Sequence, residues 1–144
     1  MKNLKIIVNP SPGDALLALW KKRDDDLSMT NLTLLVNKAI ITSLAVQEEC
    51  DNYMTDVGVL LRVKIAIAVG KMHVTYMGVP ESKQFDLSGP AVDEVNAAEK
   101  WAVPGSIILS RLAWASCDQS LFTVELLEDG HHSRVRLCNL KLSR

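Results

Sequence analysis

A few side chains of this 144-residue chain are of types that could take part in chemistry. Asp14 is the first acidic residue, and it follows Gly13 in a segment rich in proline and glycine. A carboxylate in such a turn can bind a divalent cation, although a purely structural turn residue is the simpler interpretation. Asp129, His131 and His132 form a second set of metal-ligand types. Adjacent histidines at a hairpin turn rarely converge on one ion, so we interpret this set as part of a solvated loop.

Other reactive residue types stand without the neighbours that catalysis would need. Ser110 and Cys117 have no accompanying base pattern in the sequence, which gives no support for nucleophilic catalysis. His73 falls within an apolar alternating run, which favours a packed or edge histidine over a catalyst. The sequence contains neither a phosphate-cradling Gly-x-x-x-x-Gly-Lys loop nor a dinucleotide-binding fingerprint. These isolated signals leave the function undecided.

The composition is that of a globular protein with balanced charge. Sixteen basic and seventeen acidic side chains give a formal net charge of −1, and 48% of the residues are hydrophobic. This balance argues against a nucleic-acid partner or a charged membrane surface, because either would need a basic face. The longest apolar runs, residues 15–20 and 65–69, are shorter than the ~20 residues of a membrane span. Three cysteines without metal-like spacing indicate free thiols in a reducing cytosol, and we therefore expect a cytoplasmic protein.

The first half of the chain alternates between apolar strands and one long helix. Residues 4–8 are β-branched and apolar and predict a strand, and residues 9–14 predict a loop because prolines fix φ and remove a donor. Residues 15–20 predict a buried strand. From residue 27 to 49, apolar side chains recur at three- and four-residue spacing, which predicts an amphipathic helix with Asn37, Lys38 and Gln47 toward water.

The second half begins with the longest alternating apolar pattern of the chain. Residues 61–69 and 72–76 alternate on either side of Gly70-Lys71, which predicts a hairpin at the centre of a sheet. Ala66 and Ala68 on one face of it suggest that a helix packs closely there. Ser88-Gly89-Pro90 opens a predicted helix with proline at its first position. The remaining predicted elements are strands at 84–87, 107–109, 121–127 and 134–140 and a short helix at 111–116, which together give an α+β fold with helices on one face of the sheet.

Several longer stretches resemble the class III nucleotide cyclase family, and their amino-acid sequence is similar to that of its bicarbonate-responsive adenylate cyclases. Residues 13–20, Gly-Asp-Ala-Leu-Leu-Ala-Leu-Trp, are similar to the metal-binding hairpin of that family. Residues 62–71 with Met77-Gly78 resemble its central hairpin, and residues 89–95 resemble its Gly-x-Ala-Val-Asp-Asp-Val helix start. Residues 107–110, Trp114, residues 117–120 and residues 135–140 continue the likeness in order and at nearly constant spacing.

The resemblance implies a class III nucleotide cyclase (ferredoxin-like) sheet with helices packed on it, lacking the family's first strand and first two helices. Residues 1–12 would then be a divergent N-terminal segment, and residues 13–144 a partial guanylate/adenylate cyclase catalytic domain. In the family fold the missing strand runs through the middle of the sheet. We therefore expect unpaired backbone edges that residues 4–8 fill only in part, and an isolated chain that associates with other strands.

The resemblance also implies a reaction, in which ATP is converted to cyclic AMP and pyrophosphate at the interface of two homologous domains. Two Mg²⁺ or Mn²⁺ ions are held there by an aspartate pair. Asp14 matches the second aspartate of this pair, and no Asp or Glu precedes it in this sequence. The lysine and arginine that hold bicarbonate fall at Pro10 and Asn96, so we do not expect capture of bicarbonate by the usual two cations.

Three interpretations remain open at the level of sequence. The chain could be a working half of an adenylate cyclase, completed by a second cyclase domain that also contributes to ATP binding. It could be an inactive cyclase-type chain that serves as a binding or regulatory module and docks on a complete cyclase domain. It could be an unrelated α+β binding module, which the continuous register of the likeness disfavours. We favour the second for activity, because loss of one of two metal carboxylates costs several orders of magnitude in rate.

Overall fold

A computed structural model describes residues 2–10, 16–21, 29–78 and 84–139 of the chain. Its main sheet has six strands in the order β2-β1-β5-β8-β10-β9, and two further pairs, β3-β4 and β6-β7, form separate two-stranded sheets. The strands are β1 (Lys2–Pro10), β2 (Leu16–Lys21), β3 (Tyr53–Met54), β4 (Leu60–Leu61), β5 (Val63–Lys71), β6 (His73–Met77), β7 (Gln84–Ser88), β8 (Ile107–Leu109), β9 (Phe122–Leu126) and β10 (Ser133–Cys138). The helices are α1 (Met29–Cys50), α2 (Pro90–Trp101) and α3 (Arg111–Ser116). This architecture confirms the predicted α+β class.

The first strand is longer than the sequence pattern predicts, and it lies inside the sheet. β1 pairs antiparallel with β5 along its whole length, from Lys2 opposite Lys71 to Pro10 opposite Val63. It also pairs antiparallel with β2 on its other side. The predicted gap of unpaired backbone in the middle of the sheet is therefore wrong, because a nine-residue strand fills that position. Its run of Ile and Val residues suits a strand with neighbours on both sides.

The predicted hairpin of residues 61–77 is also wrong, although both of its strands exist. β6 pairs with β7 instead of β5, from His73 opposite Ser88 to Met77 opposite Gln84. The backbone at the end of β5 is approached closely by the residue that follows β7. A Cβ atom placed on Gly89, which has φ of +117°, would lie 2.9 Å from the carbonyl oxygen of Lys71. Alternation along the sequence specifies a strand but does not specify its partner.

Helices cover both faces of the main sheet, whereas the sequence pattern predicted helices on one face. The first core lies where the larger side chains of β5, such as Ile65 and Ile67, meet α1 and α3. The second core lies where Ala66 and Ala68 meet α2. The alternation of a strand puts successive side chains on opposite faces, so a strand that is apolar on both faces needs a cover on each.

The close packing that the small residues of β5 predict is confirmed. The buried stripe of α2 consists of Ala91, Val95 and Ala98, and Ala102 follows directly after the helix. Proline is the first residue of this helix, as predicted, and the preceding Gly89 has a conformation that other residues rarely adopt. The small side chains let the helix axis approach the sheet, which fixes the position of the residues that α2 presents to solvent.

The other predicted elements are present with small shifts at their ends, and two side chains of α1 that were predicted to face water differ. Gln47 is partly buried, and its Nε2 donates a hydrogen bond of 3.4 Å to the carbonyl oxygen of Val63. Asn37 on α1 is buried, although the helical pattern places it toward water. Its Oδ1 accepts a hydrogen bond of 2.9 Å from the backbone N–H of Asp118, which explains how a polar group is tolerated there. Among the helices that the structure describes, none is long and apolar enough to cross a membrane.

Candidate functional site

Asp14, the predicted metal ligand, lies outside the described residues, but the strands on either side of it are described. β1 ends at Pro10, opposite Val63, and β2 begins at Leu16, opposite Val8. Both strand ends therefore lie at the edge of the sheet where β5 begins. We call this edge the β5-start edge.

The carboxylates of Asp51 and Glu99 at the β5-start edge are each paired with a cation. Asp51 Oδ1 accepts hydrogen bonds from the backbone N–H of Val63 at 2.8 Å and from Arg62 Nε at 3.2 Å. Glu99 Oε1 lies 2.8 Å from the ammonium of Lys64. These pairs join α1 and α2 to the first residues of β5, and their carboxylates serve structural roles.

The charged groups at this edge do not fit a centre for two divalent cations. Two neighbouring dications need shared anionic ligands, and the sequence of β1, the strand that ends at this edge, contains no carboxylate. Within the described residues, no three side chains of His, Cys, Asp or Glu type are grouped so that they could hold a metal ion. In that part of the chain the donors for a two-ion centre are not assembled.

A polar groove lies elsewhere, between α2, α3 and the turn that joins β9 to β10. Its volume is about 420 Å³, large enough for a small polar molecule. The lining side chains carry both signs of charge, with two carboxylates on α2 facing a guanidinium and two imidazoles. The residues are Asp93, Glu94, Ala97, Arg111, His131 and His132.

The turn beside this groove is held together by one carboxylate. Asp129 Oδ1 accepts backbone hydrogen bonds from His131 and His132, each of 3.0 Å, and Asp129 Oδ2 is paired with Nδ1 of His132. Desolvation opposes ionisation of this carboxyl group. The hydrogen bonds from the His132 side chain and from both backbone N–H groups outweigh it and hold the pKa of Asp129 well below its usual range. The imidazole of His132 stacks on Trp101 with ring centroids 6.2 Å apart, which ties the turn to the end of α2.

The two histidines of the turn have different partners, and the sequence interpretation of them as a solvated loop needs correction. His131 is exposed, and its Nδ1 lies 3.3 Å from Nη1 of Arg111, so it accepts from the guanidinium in its neutral form. His132 is partly buried between Asp129 and Trp101. The signal that the sequence analysis missed is the four-residue spacing of Asp93, Ala97 and Trp101. This spacing puts the three residues on one side of α2, the side that faces the turn.

The candidate nucleophiles have structural surroundings. Burial is the main cause that raises the pKa of Cys117 to about 11, so its thiol stays protonated and a weak nucleophile at neutral pH. The Ser110 side chain is buried and caps α3 by accepting a hydrogen bond of 3.1 Å from the backbone N–H of Ala113. His73 is exposed at the first position of β6. The structure brings none of these three into contact with another.

The positions that the resemblance associates with bicarbonate lie apart from the groove lining. Asn96 is exposed on α2, next to Ala97 but not among the side chains that line the groove. Pro10 is the last residue of β1 and cannot supply a charge. An amide and a proline do not reproduce two cations, so these two positions offer no charged group to bicarbonate.

Comparison with curated proteins finds similarity to adenylate cyclases. The chain is 32% identical over 117 residues to adenylate cyclase type 10 of Oryctolagus cuniculus, and these residues make up 81% of the chain. The human protein of the same name gives the same identity and coverage. The chain spans about 7% of the length of these relatives. No family model matches the sequence.

Comparison with solved structures finds cyclase domains with the same fold at low sequence identity. The guanylate cyclase domain of RhGC from Catenaria anguillulae, solved in complex with GTP, superimposes with a TM-score of 0.77. That match has 12% identity and covers 96% of this chain and 97% of the other. A dimeric guanylyl cyclase domain from Blastocladiella emersonii, with 12% identity and coverage of 95% and 96%, has a TM-score of 0.74. The adenylyl cyclase CyaB from P. aeruginosa, with 9% identity and coverage of 99% and 97%, has a TM-score of 0.62.

Proposed function

We propose that this chain, which belongs to the class III nucleotide cyclase family, is an adenylate-cyclase-type domain that is inactive alone and pairs with a second cyclase domain. The observation that carries the proposal is the continuous similarity over 117 residues to adenylate cyclase type 10. The relatives at 32% identity are adenylate cyclases, whereas the guanylate cyclase domains share the fold at only 12% identity. We therefore propose ATP as the nucleotide. The dimeric neighbour from Blastocladiella emersonii supports a second domain as the partner.

In the reaction that we propose for the paired domains, the ribose 3′-oxygen of ATP attacks the α-phosphorus. The bond from that phosphorus to the bridging oxygen of pyrophosphate breaks, and the proton of the 3′-hydroxyl group is released. Divalent cations, Mg²⁺ or Mn²⁺, would supply electrostatic stabilisation of the phosphate charges. The residue of this chain that would bind these cations is Asp14, and no carboxylate occurs among residues 1–13. We therefore propose that the chain alone does not turn over ATP.

An observation on β1 favours a second candidate function, that of a non-catalytic module that docks on a complete cyclase domain. In the family, one aspartate of the metal pair lies on the first strand, in the middle of the sheet. In this chain the strand between β2 and β5 is β1, whose sequence Lys-Asn-Leu-Lys-Ile-Ile-Val-Asn-Pro contains no carboxylate. A sheet of this kind can dock on a partner without holding the metal pair.

A cyclic AMP assay with ATP and Mn²⁺ tests both candidates. The purified chain is measured alone and mixed with a complete cyclase domain, and Asp14→Asn is measured in parallel. We expect no product from the chain alone. Product that rises on mixing and is lost in Asp14→Asn supports a working half, whereas a change that survives Asp14→Asn supports a docking module. Turnover by the isolated chain would overturn the proposal.

The boundaries and location of the domain are part of the same proposal. We propose that residues 1–12 are a segment whose sequence diverges from the family and that residues 13–144 are the cyclase-type domain, with β1 of the divergent segment completing the sheet of that domain. We also propose a cytoplasmic location, which the free Cys50, Cys117 and Cys138 support because reduced thiols persist in the cytosol.

A further inference from the structure

The polar groove between α2, α3 and the β9-β10 turn contains charges of opposite sign that do not neutralise each other. Asp93 and Glu94 on α2 and Arg111 on α3 line the same space of about 420 Å³. Among the described residues, no ion pair joins either carboxylate to a cation. The described partner of the Arg111 guanidinium is the imidazole of His131, which carries no negative charge. The groove can therefore offer both signs of charge to a ligand.

The other titratable groups around the groove have partners within the domain. Asp129 is paired with Nδ1 of His132, and the His132 ring stacks on Trp101. His131 accepts from the guanidinium of Arg111 in its neutral form. Two carboxylates and one guanidinium thus remain for a ligand, and the negative charges outnumber the positive one.

The walls of the groove are held in place before any ligand binds. The small buried side chains of α2 pack on the sheet, and the side chain of Ser110 caps α3 directly before Arg111. The turn is held by the hydrogen bonds of Asp129 already described. Ala97 lies one helical turn after Asp93, and its methyl group leaves the space beside the charges open. A site with fixed walls loses little conformational freedom when it binds a ligand.

We propose that this groove binds a small zwitterion with an ammonium and a carboxylate group, such as a free amino acid. The ammonium would meet Asp93 and Glu94, and the carboxylate would meet Arg111, whose planar guanidinium matches a carboxylate. The excess of carboxylates in the lining disfavours a phosphate dianion. The charged side chains are exposed to water, so we expect a dissociation constant of roughly 1 mM.

This site goes beyond the proposed cyclase function and does not depend on it. Asp14 is not among the lining residues, and neither are Asn96 and Pro10, the positions that the resemblance associates with bicarbonate. Binding of the zwitterion can be measured without a nucleotide, a metal ion or a second cyclase domain. Failure of the cyclic AMP assay would therefore leave this proposal standing, and the reverse also holds.

A series of amino acids of increasing length tests the proposal on the full chain. Glycine, β-alanine, γ-aminobutyrate and ε-aminocaproate are titrated into isotope-labelled protein, and the backbone amide resonances are followed by NMR. The ammonium and the carboxylate are farther apart in each successive compound. We expect saturable shifts in α2, α3 and the β9-β10 turn, strongest for the compound whose length matches the groove. The amine and the carboxylic acid that each lack one charge of that compound should bind about fivefold more weakly.

Substitutions in the groove assign each charge to its partner. Arg111→Gln should weaken the amino acid about fivefold and leave its amine analogue unaffected, whereas Asp93→Asn with Glu94→Gln should weaken both. Ala97→Leu keeps every charge and fills the open space, so it should abolish the shifts. Glu128→Gln is the matched control, because Glu128 is exposed in the same turn and does not line the groove. It should leave the affinity unchanged.

Several results would overturn the proposal. One is the absence of saturable shifts with every compound of the series, and another is equal binding of the compounds that carry a single charge. The same loss in Glu128→Gln as in Arg111→Gln would show a general effect of charge. Unchanged binding in Ala97→Leu would place the ligand outside the groove. The resonances of the main sheet report in each variant that the domain is folded.

Discussion

Two hairpins of this domain have similar turns and very different surroundings. The β9-β10 and β3-β4 hairpins are both antiparallel pairs, and each turn contains a glycine with positive φ, +71° at Gly130 and +80° at Gly58. The β9-β10 hairpin places Phe122 and Val135 in the first core, whereas the side chains of β3 and β4 remain exposed or partly exposed. Turn chemistry therefore specifies a hairpin in both places, and the burial of its side chains decides whether it joins the core.

The polar groups of the two turns differ in the same way. In the β9-β10 turn, Asp129 accepts hydrogen bonds from the backbone N–H groups of His131 and His132 and is paired with the imidazole of His132. The β3-β4 turn is closed by the Thr55 hydroxyl and leaves Val57 84% exposed. One turn satisfies its polar groups within the domain, and the other leaves apolar side chains exposed to solvent.

Truncation of a buried strand residue should give the largest difference between the two hairpins. Phe122→Ala removes an aromatic ring from the core, and we expect the free energy of unfolding to fall by about 3–5 kcal/mol. Leu60→Ala in β4 should change it by no more than about 0.5 kcal/mol, because that side chain is already half exposed. Urea unfolding followed by circular dichroism measures both. Comparable losses in the two variants would show that the β3-β4 hairpin belongs to the core.

The glycines allow the same substitution to be compared in both turns. A Cβ atom on either Gly58 or Gly130 would have no atom within 4 Å, so the cost of alanine is the backbone conformation alone, about 1–2 kcal/mol. We expect Gly130→Ala to lower the free energy of global unfolding by about that amount. Gly58→Ala should leave it nearly unchanged, because a solvated hairpin can open locally before the domain unfolds.

Hydrogen exchange distinguishes local from global effects in that comparison. In Gly58→Ala, faster exchange should be confined to residues 53–61, whereas Gly130→Ala should raise exchange in β9, β10 and the strands beside them. Faster exchange throughout the sheet in Gly58→Ala would contradict the separation of the two hairpins.

Elements with a strong apolar period could be predicted from the sequence. The stripe of α2, the buried strand β5 and the proline at the start of α2 follow from spacing and from the fixed φ of proline. The pairing of β6 with β7 could not be predicted, because apolar alternation along the sequence specifies a strand but not its partner. The position of β1 between β2 and β5 could not be predicted for the same reason, because the sequence pattern does not specify its two partners.

The candidate site was less predictable than the fold. Asp14 is identified by its resemblance to a family motif, and its position lies outside the described residues. The groove beside the β9-β10 turn was missed because its lining comes from α2, α3 and the turn, which only the tertiary structure brings together. Asn37 was misplaced for a similar reason, since its partner Asp118 is 81 residues away. Polar side chains with distant partners leave no local pattern in a sequence.

The smallest expected effect concerns the charge that holds the β9-β10 turn. The folded state lowers the pKa of Asp129, so its contribution to stability is present above the unfolded value of about 3.9 and is lost as pH falls below that value. Asp129→Asn should therefore melt at a lower temperature than the unmodified chain at pH 7, and the two melting curves should converge as pH falls below about 4. Asp93, Glu94, Arg111 and His131 face the same groove. The difference in melting temperature between Asp129→Asn and the unmodified chain isolates Asp129 from those groups. Asp56→Asn in the β3-β4 turn serves as the matched control, and we expect it to leave the melting temperature unchanged. A constant difference between Asp129→Asn and the unmodified chain down to pH 2 would show that the side-chain amide disturbs the turn by its shape and that the charge of Asp129 contributes nothing.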